Sequence, residues 1–260
     1  MIGSLRPAKI LASPKEPLFN VPSSVVATIG VLVLVHAVRS YGFSSQDDRQ
    51  FLLYFAFFPA RYDSSSLAQI AWPGGWPADV WTFVTYALIH GDWTHLGLNA
   101  VWLLAFGSAV ARRFGAARSF AFFMITAAAG AGAHLATHAG DYWPMAGASA
   151  AISGYMAAAM RFVFQSGGPL GWRGGEASYL HPAAPLSTVL RQPQVMVFLG
   201  VWFGLNLLVG VSSFSLADEG QSIAWQAHIG GFVAGLLLFP LFDPVGRHGR
   251  SDDDPARAHL

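Results

Sequence analysis

Residues 145–161, MAGASAAISGYMAAAMR, decide how the rest of the chain is read. The stretch is apolar enough to lie in a membrane, yet it opens on Gly147-Ala148-Ser149. Small residues recur down one face, because residues four apart share one side of a helix: Ser149, Ser153 and Ala157. Two readings fit such a helix. One is packing, since Gly, Ala and Ser let backbones approach closely in lipid. The other is a reactive serine at the mouth of a buried helix. Alone, the stretch favours packing; the polar residues on the other apolar runs shift the balance to chemistry.

The chain of 260 residues is 53% hydrophobic and only 11% charged, with a mean hydropathy of +0.43. That charged fraction is less than half of the roughly 25% usual in soluble domains, so the class is membrane protein. A net charge of +1 says nothing about nucleic acid, but there is no basic stripe interleaved with aromatics, so no nucleic-acid partner is expected. The partners to expect are the lipid bilayer and other membrane proteins. There is no cysteine, so a loop facing an oxidising compartment holds its shape by packing alone. Thirteen arginines against two lysines hint at a GC-rich bacterial genome.

Six apolar runs predict an all-α bundle of six transmembrane helices: residues 21–38, 92–111, 120–137, 145–164, 194–211 and 223–242. The first run starts late for a signal peptide and no small-residue cleavage site follows Arg39, so it reads as an uncleaved span. Residues 40–90 read as a loop in the outer interface. Within it, residues 51–60 are apolar but too short to cross, and Trp72, Trp76 and Trp81 suit the headgroup region. The domain layout is then a cytoplasmic tail at 1–20, a six-helix domain at 21–242 and a second cytoplasmic tail at 243–260. The last tail carries Asp252-Asp253-Asp254 and reads as disordered. With the N-terminus inside, twelve of the fifteen Lys and Arg fall on the inner side, counting Arg161 at the inner end of span four; only Arg39, Arg49 and Arg61 fall outside. This is a positive-inside pattern, and it makes spans two, four and six all run inward. A bacterial inner membrane is the expected location.

Those three spans carry polar groups near their outer starts. Span two has His95 and Asn99, four apart and so on one face. Span four has Ser149. Span six has His228, about 8 Å of helical rise in from its start. Serine, asparagine and two histidines thus fall at similar depth on three parallel spans. Polar residues inside a span are functional candidates by default. A serine hydroxyl becomes a nucleophile when a base takes its proton, and His228 can do so. Attack on a peptide carbonyl creates an oxyanion that needs preorganised donors. Asn99, the His95 ring and the backbone N–H of Ser149 at a helix start offer them. No acidic residue lies at that depth on spans four or six, so the expectation is a Ser–His dyad without a carboxylate. The spacing of His228, Gly231 and Gly235 puts them on one helix face. Gly147, Ser153, Gly231 and Gly235 are therefore expected to pack helices closely around the site.

These residues resemble the rhomboid family of intramembrane serine proteases. The matching pieces are Trp81 leading into His90, then His95-x-x-x-Asn99, Gly147-x-Ser149, and Ala227-His228 with Gly231-x-x-x-Gly235. Their order and spacing agree over residues 21–242. The resemblance implies Ser149 as nucleophile, His228 as base, His95 and Asn99 at the oxyanion hole, and no cofactor. It implies cleavage of peptide bonds in or beside the transmembrane segments of protein substrates. Two departures stand out: Ala150, where many members have glycine, and Thr82 after Trp81, where arginine is common.

Three other readings compete. A rhomboid-like protein that binds membrane proteins without cutting them should lack the serine or the base, and both are present. A metal site could draw on His90, His95, His134 and His138. With no His-Glu-x-x-His motif, His90, His134 and His138 read instead as interfacial or packing residues, and no metal is expected. Nothing suggests the inverted repeat or paired broken helices of a transporter.

Overall fold

A computed structural model describes residues 20–63, 71–170, 176–211 and 224–245. The tail 1–19, nearly all of the 243–260 tail, and the acidic loop with Asp218 and Glu219 lie outside the described residues, as does the predicted start of span six at Ile223.

Among the described residues every regular element is a helix, apart from one isolated β-bridge. In lipid each backbone N–H and C=O must be paired within its own segment, so apolar runs of this length become helices. The order is α1 (Ser23–Ala37, carried on by a π turn at Val38–Gly42), α2 (Ser45–Phe55), α3 (Gly75–Thr85) and α4 (Trp93–Trp102). A π turn at Leu103–Gly107 joins α4 to α5 (Ser108–Phe114), and Gly115 separates that from α6 (Ala116–Thr137). Then come α7 (Ser149–Met160), the short α8 (Leu186–Val189), α9 (Pro193–Val211) and α10 (Trp225–Phe242).

Four helical stretches are long and apolar enough to cross a membrane: Ser23–Gly42, Trp93–Phe114, Ala116–Thr137 and Trp225–Phe242. A fifth apolar helix, Pro193–Leu208, is shorter. Their outward faces carry large apolar side chains such as Leu34, Val101, Phe120, Leu237 and Leu241. A bundle with apolar residues both inside and outside is a helical integral membrane protein.

The run at 145–164 behaves differently from a full span. Its helix α7 has only 12 residues, about 18 Å against a hydrocarbon core of ~30 Å. Every residue from Ala150 to Met160 is buried. Hydropathy reads such a sheathed helix as spanning, because burial in protein and in lipid demand the same composition. Residues 145–148 enter without helical structure. Met145 and Phe57 exchange backbone hydrogen bonds (2.8 and 3.2 Å), and Gly147 N–H donates to the Tyr86 carbonyl (3.1 Å). Gly147 has φ +124°, a region that favours glycine.

The segment read as an interfacial loop contains two helices. A capping box between Ser44 and Asp47 starts α2. Trp81 Nε1 donates to the Tyr54 carbonyl (2.8 Å) and Thr85 Oγ1 to the Phe55 carbonyl (2.7 Å), which clasps α3 to α2. Tyr86 Oη then donates to the Ala127 carbonyl of α6 (2.8 Å). The hairpin is thus fixed to the bundle, and through Phe57 it holds the approach to α7. At the end of α5, Arg113 is 2% exposed and forms a two-point ion pair with Asp243 (2.8 Å each). It also donates to the Tyr179 and His181 carbonyls, so α5, α10 and the segment before α8 are tied at one side chain.

The core of the bundle is the packing of α10 on α6 and α7. Small residues set its spacing. A Cβ on Gly231 would overlap the backbone of Ala150, and one on Gly235 the backbone of Gly154. The α7 neighbours are therefore Ala150 and Gly154, one position on from the Ser149 and Ser153 stripe. Ser153 instead turns its hydroxyl to the Ser149 carbonyl of its own helix (2.7 Å). Gly130 of α6 completes the contact, since a Cβ there would lie 2.5 Å from the Ala150 Cβ and 2.8 Å from the Ala227 carbonyl.

Gly235→Val should lower stability by about 1–3 kcal/mol, because backbone cannot yield as a side chain can. The midpoint of thermal unfolding in detergent measures it; an unchanged midpoint contradicts the backbone-to-backbone packing.

Candidate active site

Ser149 is the first residue of α7, and His228 lies in the first turn of α10. The crossing at Gly231 and Ala150 sets these two helix starts side by side. His228 Nε2 lies 2.7 Å from Ser149 Oγ, a hydrogen bond of good length. An imidazole so placed can take the hydroxyl proton as the oxygen attacks.

The backbone around Ser149 is also suited to developing charge. The first acceptor of the α7 ladder is the Ala148 carbonyl, which receives the Ile152 N–H (3.0 Å). The Ser149 amide therefore lies ahead of the ladder, at the positive end of the helix.

His95 comes from α4. Asp92 caps that helix, its Oδ1 accepting from the His95 backbone N–H (2.8 Å). The His95 ring stands against Gly147: a Cβ on Gly147 would meet its Cε1 and Nε2 at 2.8 Å, with Ser149 Oγ 3.7 Å away. Gly147 thus lets the His95 ring reach the serine's side of the site. Asn99, one turn deeper, is buried, and its Nδ2 donates to the His95 carbonyl (2.9 Å). An amide nitrogen carries two protons, so a second donor remains.

His90 supports this wall from behind. It is fully buried, with its ring 5.1 Å from that of His95 in an edge contact. His36 Nδ1 (3.2 Å) and Arg39 (2.9 Å) donate to its carbonyl. Burial first, then the nearby His95, His36 and Arg39, push its imidazole down to about 3, so it stays neutral. His134 and His138 stack on each other at the end of α6 (ring centroids 4.3 Å). The four histidines weighed as metal ligands therefore fall into two pairs. Among the described residues no group of three or more His, Asp or Glu converges.

One site residue escaped the sequence reading. Asn206 of α9 presents its Oδ1 to His228 Nδ1 in a close contact, while its Nδ2 donates to the Trp202 carbonyl (2.8 Å). The available signal was a lone carboxamide in an apolar run, which marks a candidate by default.

The fold and this site define a multi-helix membrane protein with a hydrogen-bonded serine–histidine pair at the joined starts of two helices. A family model of the Rhomboid domain matches residues 77–243, and the chain belongs to the rhomboid family. It is similar to a Rhomboid protease GlpG of Enterobacter sp. (strain 638), 27% identical over 190 residues, covering 72% of this chain and 58% of that protein. It is also similar to a Rhomboid protease GlpG of Serratia proteamaculans (strain 568), 26% identical over 211 residues, covering 81% of this chain and 60% of that protein. The match therefore spans less than two thirds of either relative's length.

Gly231→Val would wedge α10 from α7 at the level of the pair, and a displacement of about 1 Å can cost on the order of 10²-fold in rate. The reaction of Ser149 with a fluorophosphonate should slow by that order. A wild-type rate would contradict the link between this crossing and the serine–histidine contact.

Proposed function

We propose that the chain is an intramembrane serine endopeptidase, hydrolysing peptide bonds in or beside the transmembrane segments of other membrane proteins. The observation that carries this reading is the 2.7 Å contact between His228 Nε2 and Ser149 Oγ within a rhomboid-family domain. That both similar proteins are rhomboid proteases supports it.

In this mechanism Ser149 Oγ attacks the scissile carbonyl carbon and its proton passes to His228 Nε2. The Ser149 amide, the His95 ring N–H and the free proton of Asn99 Nδ2 receive the oxyanion. His228 then gives its proton to the leaving amine, and an acyl-enzyme on Ser149 remains. Water, deprotonated by His228, hydrolyses that ester and restores the serine. The chemistry needs no cofactor.

The positive-inside count supports an inner bacterial membrane with both tails cytoplasmic and the serine in the outer half of the bilayer. The 21–242 region forms the protease domain, with 40–90 lying in the outer interface. Substrates would then be cut near the outer ends of their spans. Small or helix-breaking residues are favoured there, because attack requires extended backbone. A non-catalytic binder would have no use for a serine hydroxyl and an imidazole in mutual contact.

Cleavage of a model transmembrane substrate in proteoliposomes should be lost in Ser149→Ala and in His228→Ala. The double variant should be little worse, since the pair acts as a unit. His95→Ala and Asn99→Ala should each slow turnover by up to about 10²–10³-fold with the fold intact. Substantial turnover in Ser149→Ala defeats the serine-protease reading; wild-type rates in both oxyanion variants defeat only the roles given to α4.

A further inference from the structure

The mechanism above requires that Nε2 of a neutral His228 carry a lone pair, and the serine cannot enforce this. A hydroxyl both donates and accepts, so it would tolerate either tautomer of the ring. Some other group must choose. No carboxylate is available for the task on α7 or α10.

The hydrogen bonds of Asn206 make the choice. Its Nδ2 is committed as a donor to the Trp202 carbonyl, four residues back on the same helix (2.8 Å). A carbonyl oxygen only accepts, so the orientation of the carboxamide is fixed: nitrogen to Trp202, oxygen to His228. Oδ1 also only accepts. The ring nitrogen that faces it, Nδ1, must therefore hold the proton. Nε2 is then unprotonated and turned to Ser149 Oγ at 2.7 Å. The sequence Trp202 carbonyl, Asn206 amide, His228 imidazole, Ser149 hydroxyl has one consistent assignment of protons. Each member donates toward the Ser149-to-Asn206 direction or is held by its own helix.

We propose that Asn206 is a positioning residue that fixes the Nδ1–H tautomer of His228 and aims its ring at Ser149. The proposal rests on the serine-protease reading of the site. During attack the Ser149 proton moves to Nε2, so the ring becomes an imidazolium with both nitrogens protonated. Nδ1–H continues to donate to Oδ1, and no proton leaves toward Asn206. The carboxamide dipole, with its oxygen toward the ring, favours that cation. A neutral group does this without the cost of holding a full negative charge inside a membrane. His–carboxamide pairing is chemically sufficient for nucleophilic catalysis, as the Cys-His-Asn arrangement of unrelated proteases shows.

The proposal differs from a packing role for Asn206 in what it predicts for pH. His95 of α4 is the titratable group that acts electrostatically on the His228 ring among the described residues. α7 contributes Ser149 and α9 contributes Asn206, neither of which titrates near neutrality. Asn206→Ala leaves the ring free to change tautomer and to rotate. Asn206→Asp keeps the shape and an acceptor but adds a negative charge. That charge holds the imidazolium, so Nε2 is free to act as base only at higher pH.

The test is the rate of fluorophosphonate labelling of Ser149 against pH in detergent, with thermal unfolding measured alongside. Asn206→Ala should label about 10²-fold more slowly or worse at every pH. Asn206→Asp should recover much of the rate at its plateau, with the acidic limb of the profile moved up by about one pH unit or more. Wild-type rate in folded Asn206→Ala overturns the proposal, as does an Asn206→Asp profile whose acidic limb stays in place. Should Asn206→Ala fail to fold, the Asn206→Asp profile decides alone. If the wild type does not label at Ser149, the serine-protease reading fails first, and that outcome is distinguishable from both.

Discussion

The contact on which the rest depends is the crossing of α7 and α10 at glycine. Gly231 and Gly235 have no side chain to separate their helix from the backbone of Ala150 and Gly154. In lipid the apolar effect does not draw helices together, so close backbone packing must supply much of the association. Here the same approach also sets the contact between Ser149 and His228. Ser149 and His228 each lie three positions before a residue of the crossing or next to one. Their separation is therefore set by two rigid helices and not by a loop.

That crossing is built into a sheath. α7 has only 12 residues, and every one from Ala150 to Met160 is buried, so it has no lipid-facing side. Residues 145–148 lead into it, held by the paired backbones of Phe57 and Met145 and by Tyr86. The α2–α3 hairpin, clasped to itself by Trp81 and Thr85, thereby holds the segment that leads to Ser149. Polar groups so far inside an apolar bundle must satisfy one another. Asp92 caps the helix of His95, Ser153 returns its hydroxyl to the Ser149 carbonyl, and Asn206 joins α9 to the ring of His228.

Much of this was legible in the residues. Apolar runs interrupted by arginines gave the helices, because lipid leaves the backbone no alternative to internal pairing. From the sequence, serine and histidine are expected at a common depth, and the two side chains lie 2.7 Å apart. Hydropathy does not separate two environments that ask for the same composition: the buried α7 reads like a lipid-facing span because a protein core is as apolar as lipid. The α2–α3 hairpin was hidden by its tryptophans and prolines, although Ser44-x-x-Asp47 carries a helix-start signature. The packing stripe was displaced by one residue, since 149/153 and 150/154 are equally small and only the partner helix selects between them. Asn206 could not be paired with His228 from spacing, because they lie 22 positions apart on different helices.

The central claim is that the helix crossing makes Ser149 a nucleophile through His228. The direct measurement is peptide mapping of the purified protein after reaction with a fluorophosphonate. A single phosphonyl adduct on Ser149, absent when His228 is replaced by alanine in a folded protein, is the predicted result. An adduct on another serine, or one on Ser149 that forms equally fast without His228, would contradict the account.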